Sequence, residues 1–152
     1  MIKPYKISVP KRTLNNIYKK VRTYPWKMMQ NINGWEYGTN YNFLKKISKY
    51  WVSKYNWKKF ENKINLFKNY KTNIDGINLH FIIEKSKNPK SRPLLLLHGW
   101  PGSVIEFFNI IPRLAHPEKF GGKIEDGFDV IVPSLPGFGF STPIKKALGP
   151  RK

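Results

Sequence analysis

Apolar residues recur along this chain with two different periods, and the change from one to the other falls near residue 70. In residues 10–24, PKRTLNNIYKKVRTY, Leu14, Ile17, Tyr18 and Val21 keep the i, i+3, i+4, i+7 spacing of an amphipathic helix. Pro10 suits its first turn. Residues 25–40 read as a loop with Pro25, Gly34 and Gly38, and its aromatics Trp26, Trp35 and Tyr37 are expected to anchor it. Asn40 is placed to cap a second helix with the face Phe43, Leu44, Ile47 and Trp51, the stem of Lys54 lying along apolar surface. Trp57, Phe60, Ile64 and Phe67 repeat the helical spacing.

Beyond residue 70 the period shortens. YKTNIDGINLHFIIE alternates about Asp75-Gly76, a dipeptide that signals a β-hairpin. A polar loop, KSKNPKSR, follows. Leu94 to Leu97 lack polar alternation, which predicts a strand over 93–98 covered on both faces. The chain then turns sharply through His98-Gly99-Trp100-Pro101-Gly102, and Ser103 is placed to cap a helix over 103–114. A Gly-rich loop (116–127) and a strand, FDVIVP (128–133), complete one right-handed β-α-β unit with parallel strands. A strand ending in His-Gly-x-Pro before a helix puts a backbone N–H where negative charge can collect, which is half of an oxyanion hole.

Composition narrows the classes. At 152 residues the length is that of one domain, with no cysteine for disulfides or thiolate metal sites. No apolar run approaches the ~20 residues that span a bilayer, and MIKPYKISVP lacks the apolar region of a signal peptide. The net charge of +19 is uneven: residues 1–92 hold 21 Lys and Arg against 4 Asp and Glu, residues 93–152 only 7 against 5. Such a basic half suits nucleic acid or an anionic membrane surface. However, Lys outnumbers Arg 23 to 5, Ala occurs twice, and the arginines do not cluster. The favoured reading is therefore compositional drift on a solvated surface, with no nucleic-acid partner and only weak attraction to anionic membrane. His80 falls in the hairpin, His98 in the turn and His116 in a loop. None pairs with carboxylates at metal-ligand spacing, so neither a metal nor a cofactor is expected. Glu106 complements the dipole of its helix, and Gly137 and Gly139 form a tight turn rather than a phosphate cradle.

LLLLHGWPGSVIEFFNIIPRL followed by FDVIVPSLPGFGFS resembles the first half of an α/β-hydrolase. PYKISVPKRTLNNIYKKV, GWEYGTNYNFLKKISKYW and NIDGINLHFI resemble the N-terminal region of microsomal-type epoxide hydrolases, which include the juvenile hormone epoxide hydrolases of insects. The resemblance runs from about residue 4 to residue 149, and its ordered set of motifs is specific. It implies an α/β fold: an N-terminal helical arm (1–69), then the first part of an α/β-hydrolase sheet (70–152), a hairpin and one β-α-β unit truncated before the nucleophile elbow.

In that family an Asp carboxylate attacks an epoxide carbon to form an ester. A His oriented by an acid activates the water that hydrolyses it, two lid tyrosines polarise the epoxide oxygen, and two backbone N–H groups hold the oxyanion. The resemblance assigns one of those donors to Trp100, expects its indole to line the pocket and the Trp100–Pro101 bond to be cis, and gives His98, Gly99, Pro101 and Gly102 the support of that turn. No Gly-x-Asp-x-Gly or Gly-x-Ser-x-Gly occurs in the chain. The nucleophile, lid tyrosines and catalytic His are expected beyond residue 152, with 144–152 a loop leading toward the elbow strand. By itself the chain is then expected to be inactive. Strand 94–97 is expected to become an exposed apolar edge able to pair with another chain, such as a full-length relative in a non-catalytic interaction. A small apolar epoxide is the implied substrate, and the endoplasmic reticulum membrane the implied location, although the sequence itself carries no anchor.

Overall fold

The computed structural model describes residues 1–30 and 34–144, and the chain divides into two compact units: Ser8–Asn62, and Met1–Ile7 with Lys63–Lys152. In the first unit the helical periodicities become α1 (Lys11–Arg22), α2 (Tyr41–Ser53) and the start of α3 (Trp57–Ile64). Pro10 stands at the cap position just before α1, and Lys19, Lys20 and Arg22 sit at its C-terminal end, where cations offset the helix dipole. The Asn40 side chain accepts from the Phe43 N–H at 3.0 Å and so caps α2. Trp26 meets Tyr24 and Tyr41 edge-on, and Trp35 packs on Phe43. Tyr37 projects into solvent, so the expected anchoring holds for two of the three aromatics. The expected stripe of α2 is also only partly covered: Phe43, Ile47 and Trp51 are exposed, and the latter two line an open groove of about 480 Å³ with Leu14, Ile17 and Tyr18.

Glu61 of α3 is buried. Its carboxylate accepts from the Val9 N–H (2.7 Å), the Trp57 indole N–H (3.0 Å) and the Lys58 ammonium (2.7 Å). Burial alone would raise its pKa, but the bonds from Lys58, Val9 and Trp57 outweigh burial and hold it below the usual carboxylate value.

The second unit carries a five-stranded sheet of order β1-β2-β3-β5-β4, formed by Lys3–Pro4, Lys68–Ile74, Ile77–Glu84, Asp129–Pro133 and Pro93–Leu95 for β1, β2, β3, β5 and β4. β2 and β3 form the predicted hairpin, and both turn residues are left-handed (Asp75 φ 50°, Gly76 φ 82°), as a two-residue turn matched to strand twist requires. β3 pairs antiparallel with β5, and β5 runs parallel to β4, so the second strand of the β-α-β unit lies inside the first. Ile7, Ile64, Ile82, Ile111, Val130 and Val132 are fully buried and form its core with Phe81 and Phe108.

Three expectations are corrected here. The division at residue 69/70 overlooked β1: Met1–Ile7 belong with the sheet. The Tyr5 N–H donates to Asn69 O (2.9 Å), while Asn65 accepts from the Ile7 N–H (2.9 Å) and returns a bond to Ile7 O (2.8 Å). Tyr5, Ile7 and Val9 alternating with Lys6 and Ser8 carried that signal. Nor is 103–114 one helix. Val104–Phe107 form a 3₁₀ turn and α4 begins only at Ile111. Pro112, at the start of α4, lacks an N–H and its ring crowds the carbonyl four residues earlier, so a continuous helix cannot run through it.

Lastly, the leucine run is not covered on both faces. Among the described residues β4 pairs with β5 alone, and Leu95 and Leu97 are 57% and 56% exposed, as the expectation of an exposed apolar edge over 94–97 required. Of residues 144–152, read as a loop toward the elbow strand, 145–152 lie outside the described residues. Among the described residues no helix is long and apolar enough to cross a membrane.

Candidate functional site

The turn after β4 is built from its two ends inward. Leu96 N–H still donates to Ile131 O (2.9 Å), so the chain leaves the sheet only at Leu97. His98 then turns in and is buried. Its Nε2 accepts from the Leu135 N–H at 3.1 Å, which fixes the tautomer: Nδ1 carries the proton and donates to Gly99 O at 3.0 Å. The ring packs edge-on against Phe138 (5.3 Å between centroids). His98 thus ties the turn to the segment after β5, with both nitrogens engaged and neither offered to solvent.

The other end is closed by a capping box. Ser103 Oγ accepts from the Ile105 N–H (3.4 Å), and Glu106 Oε1 accepts from the Ser103 N–H (2.9 Å). The Glu106 carboxylate folds back so closely that a Cβ on Gly102 would stand 2.3 Å from Glu106 Oε1 and 2.7 Å from Gly99 O. A Cβ on Gly99 would meet nothing within 4 Å. Only the second glycine is therefore required by space.

Between these ends stand Trp100 and Pro101, joined by a cis peptide bond as the resemblance implied. No acceptor among the described residues takes the Trp100 N–H. That amide can donate a hydrogen bond to an acceptor outside the chain. The Trp100 side chain is 84% exposed. Two open grooves of about 490 and 480 Å³ are lined by residues of α1 and α2 and their flanking segments.

A second polar cluster lies under the turn's neighbour, and sequence reasoning did not find it. His80 of β3, with Asn69, Ser134 and Ser141, is buried. Asn69 donates its amide to Ile64 O (3.1 Å) and Phe67 O (2.8 Å), so its oxygen faces His80 Nε2 at 3.0 Å and accepts that N–H. His80 Nδ1 then accepts from Ser134 Oγ at 2.9 Å. Ser141 Oγ accepts from the His80 N–H (2.8 Å) and donates to Ser134 O (2.7 Å). Burial, with a smaller contribution from the nearby Lys71 ammonium, lowers the His80 pKa from 6.5 to about 4, so the ring is neutral at pH 7. The signal available was a His on the inward register of an alternating strand, unremarkable until β5 and its following loop close over it.

His116 bonds Glu84 at 2.7 Å. No cluster of three His, Cys, Asp or Glu able to hold a metal ion occurs among the described residues.

Comparison with known proteins gives this geometry its context. A family model described as "Epoxide hydrolase N terminus" matches residues 2–107, and one described as "alpha/beta hydrolase fold" matches residues 92–148. Juvenile hormone epoxide hydrolase 1 of Ctenocephalides felis is 39% identical over 144 residues, 92% of this chain and 30% of its own length. Epoxide hydrolase 1 of Sus scrofa is 37% identical over 144 residues, 92% of this chain and 32% of its own. The crystal structure of juvenile hormone epoxide hydrolase from Bombyx mori superposes with a TM-score of 0.81 at 34% identity, covering 96% of this chain and 35% of that one. The chain thus spans about a third of the length of the curated relatives it matches.

Proposed function

Since the chain belongs to the epoxide hydrolase family, we propose that it supplies one half of the oxyanion hole used when an epoxide is hydrated to a diol. The unclaimed Trp100 N–H, held between a His98 anchor and a Glu106 capping box, is the observation that supports this reading. The chemistry follows from charge. A carboxylate attacks one epoxide carbon, the C–O bond breaks and the ring oxygen leaves as an alkoxide that takes a proton. Water, giving up a proton to a base, then adds to the resulting ester carbonyl, and the negative charge that gathers on that oxygen is what the Trp100 N–H meets before the acyl C–O bond breaks, freeing the diol and restoring the carboxylate. One such donor contributes about 3–4 kcal/mol to the transition state.

The sequence has neither Gly-x-Asp-x-Gly nor Gly-x-Ser-x-Gly, so these 152 residues supply the donor without the attacking group. The purified chain is accordingly expected to convert no epoxide. Styrene oxide incubated with it should give diol at the uncatalysed rate by chromatography. A rate proportional to protein concentration would overturn the reading. The substrate that family membership suggests is a small apolar epoxide.

The edge position of β4 favours a second role beside the first. With Leu95 and Leu97 exposed, the strand is suited to pairing with a strand of another chain of this family. Concentration-dependent association is expected in analytical ultracentrifugation, and Leu95→Lys should shift the chain toward monomer. Equal sedimentation of both proteins at all concentrations would argue against pairing.

A further inference from the structure

We infer that His80 is a positioning residue for the turn that carries the Trp100 amide, an inference that rests on the reading of that amide as an oxyanion donor. His80 is fully buried and cannot touch a substrate. It acts through the segment 134–141. That segment is fastened to β3 by three bonds, the Ser134 N–H to His80 O (2.9 Å), Ser134 Oγ to His80 Nδ1 (2.9 Å) and the His80 N–H to Ser141 Oγ (2.8 Å), and is closed on itself by a fourth from Ser141 Oγ to Ser134 O (2.7 Å).

The same segment holds the turn. The N–H of Leu135, the residue after Ser134, is the donor that fixes His98, and His98 in turn fixes Gly99 O, the carbonyl of the residue before Trp100. The segment's two phenylalanines divide between the histidines: Phe140 packs edge-on against His80 (5.2 Å) and Phe138 against His98 (5.3 Å). Asn69 on β2 holds the far side of the His80 ring, so the bonded path to the turn starts from the hairpin. A bonded path from the hairpin restrains the turn at a second place besides β4.

The test reads geometry and needs no turnover, so it stands or falls separately from the oxyanion reading. In the ¹⁵N-labelled full chain, the imidazole nitrogens of His98 should show a protonated Nδ1 and an accepting Nε2. Ser141→Ala, which removes a single hydroxyl, and His80→Gln should both move the His98 ring toward averaged tautomers. Both should also speed hydrogen exchange of the Leu135 amide by about tenfold or more. Asn78→Ala, at an exposed position on the same strand, should change neither. Should His80→Gln fail to fold, Ser141→Ala decides alone. An unchanged His98 signature and unchanged Leu135 exchange in Ser141→Ala overturn the inference, as does an equal change in Asn78→Ala.

Discussion

Lowering the pH from 7 toward 4 is expected to cost the sheet-bearing unit about 3 kcal/mol of stability through His80 alone. The ring is neutral and doubly bonded in the folded chain, with a pKa of about 4 set first by burial and second by Lys71, against 6.5 when unfolded. A base whose pKa is lowered by folding favours the folded state fully above the unfolded value. As pH falls below 6.5 the unfolded chain takes up a proton that the folded chain refuses, and the loss is complete near pH 4. Other groups act in a lower window. Burial and three donors leave the Glu61 pKa below 4.5. Asp129 is held below 3.8 first by Lys85, with Ser86 and Ser91 also bonding its carboxylate. Both carboxylates stabilise the fold above their unfolded values, and that contribution is lost only as pH drops past them. Urea midpoints at pH 7 and pH 5.5, compared between the parent chain and His80→Gln, therefore report on His80. They should fall steeply in the parent chain and far less in His80→Gln. A parent midpoint unchanged at pH 5.5 would mean the ring is not buried neutral.

The second large effect is expected at Gly102. Placing a methyl there drives it into Gly99 O and Glu106 Oε1, and the backbone oxygen cannot yield without moving the peptide that leads into Trp100. In a chain of family length that hydrates an epoxide, Gly102→Ala is expected to lower kcat by about 10²-fold, the usual cost of displacing a catalytic group by about 1 Å. Gly99→Ala is the built-in contrast. It sits three residues earlier in the same motif and its added methyl meets open space, so kcat should stay within about threefold. Equal losses at the two glycines would show that the motif tolerates neither for reasons other than space, and would remove the argument that Glu106 shapes the turn.

Much of this was legible in the chain because it depends on neighbours in sequence. The Asn40 cap and the Asp75-Gly76 turn are local: each satisfies backbone groups or left-handed dihedrals within a few residues. Ser103 and Glu106 were likewise readable as a helix start, although the helix itself stopped early. The expectation of a helix over 103–114 failed at Pro112, a local signal that the apolar spacing of Val104, Phe107, Phe108 and Ile111 obscured. The coverage of Leu94–Leu97 failed for a different reason. Apolar runs report a preference for burial, and what covers a strand's faces comes from segments distant in sequence; among the described residues β4 pairs with β5.

The sequence by itself determined the family, the succession of helices and strands, the hairpin turn and the His-Gly-x-Pro bend, since all of these rest on spacing and on single-residue backbone preferences. Only the tertiary structure decided that Met1–Ile7 complete the sheet, that β5 lies between β3 and β4, and that His80, Asn69, Ser134 and Ser141 meet in one buried cluster. Those contacts join residues up to 72 positions apart, such as Asn69 and Ser141, linked through His80. No local pattern encodes which polar groups will share an interior; that follows from the strand order, which brings them together and leaves them no partner but one another.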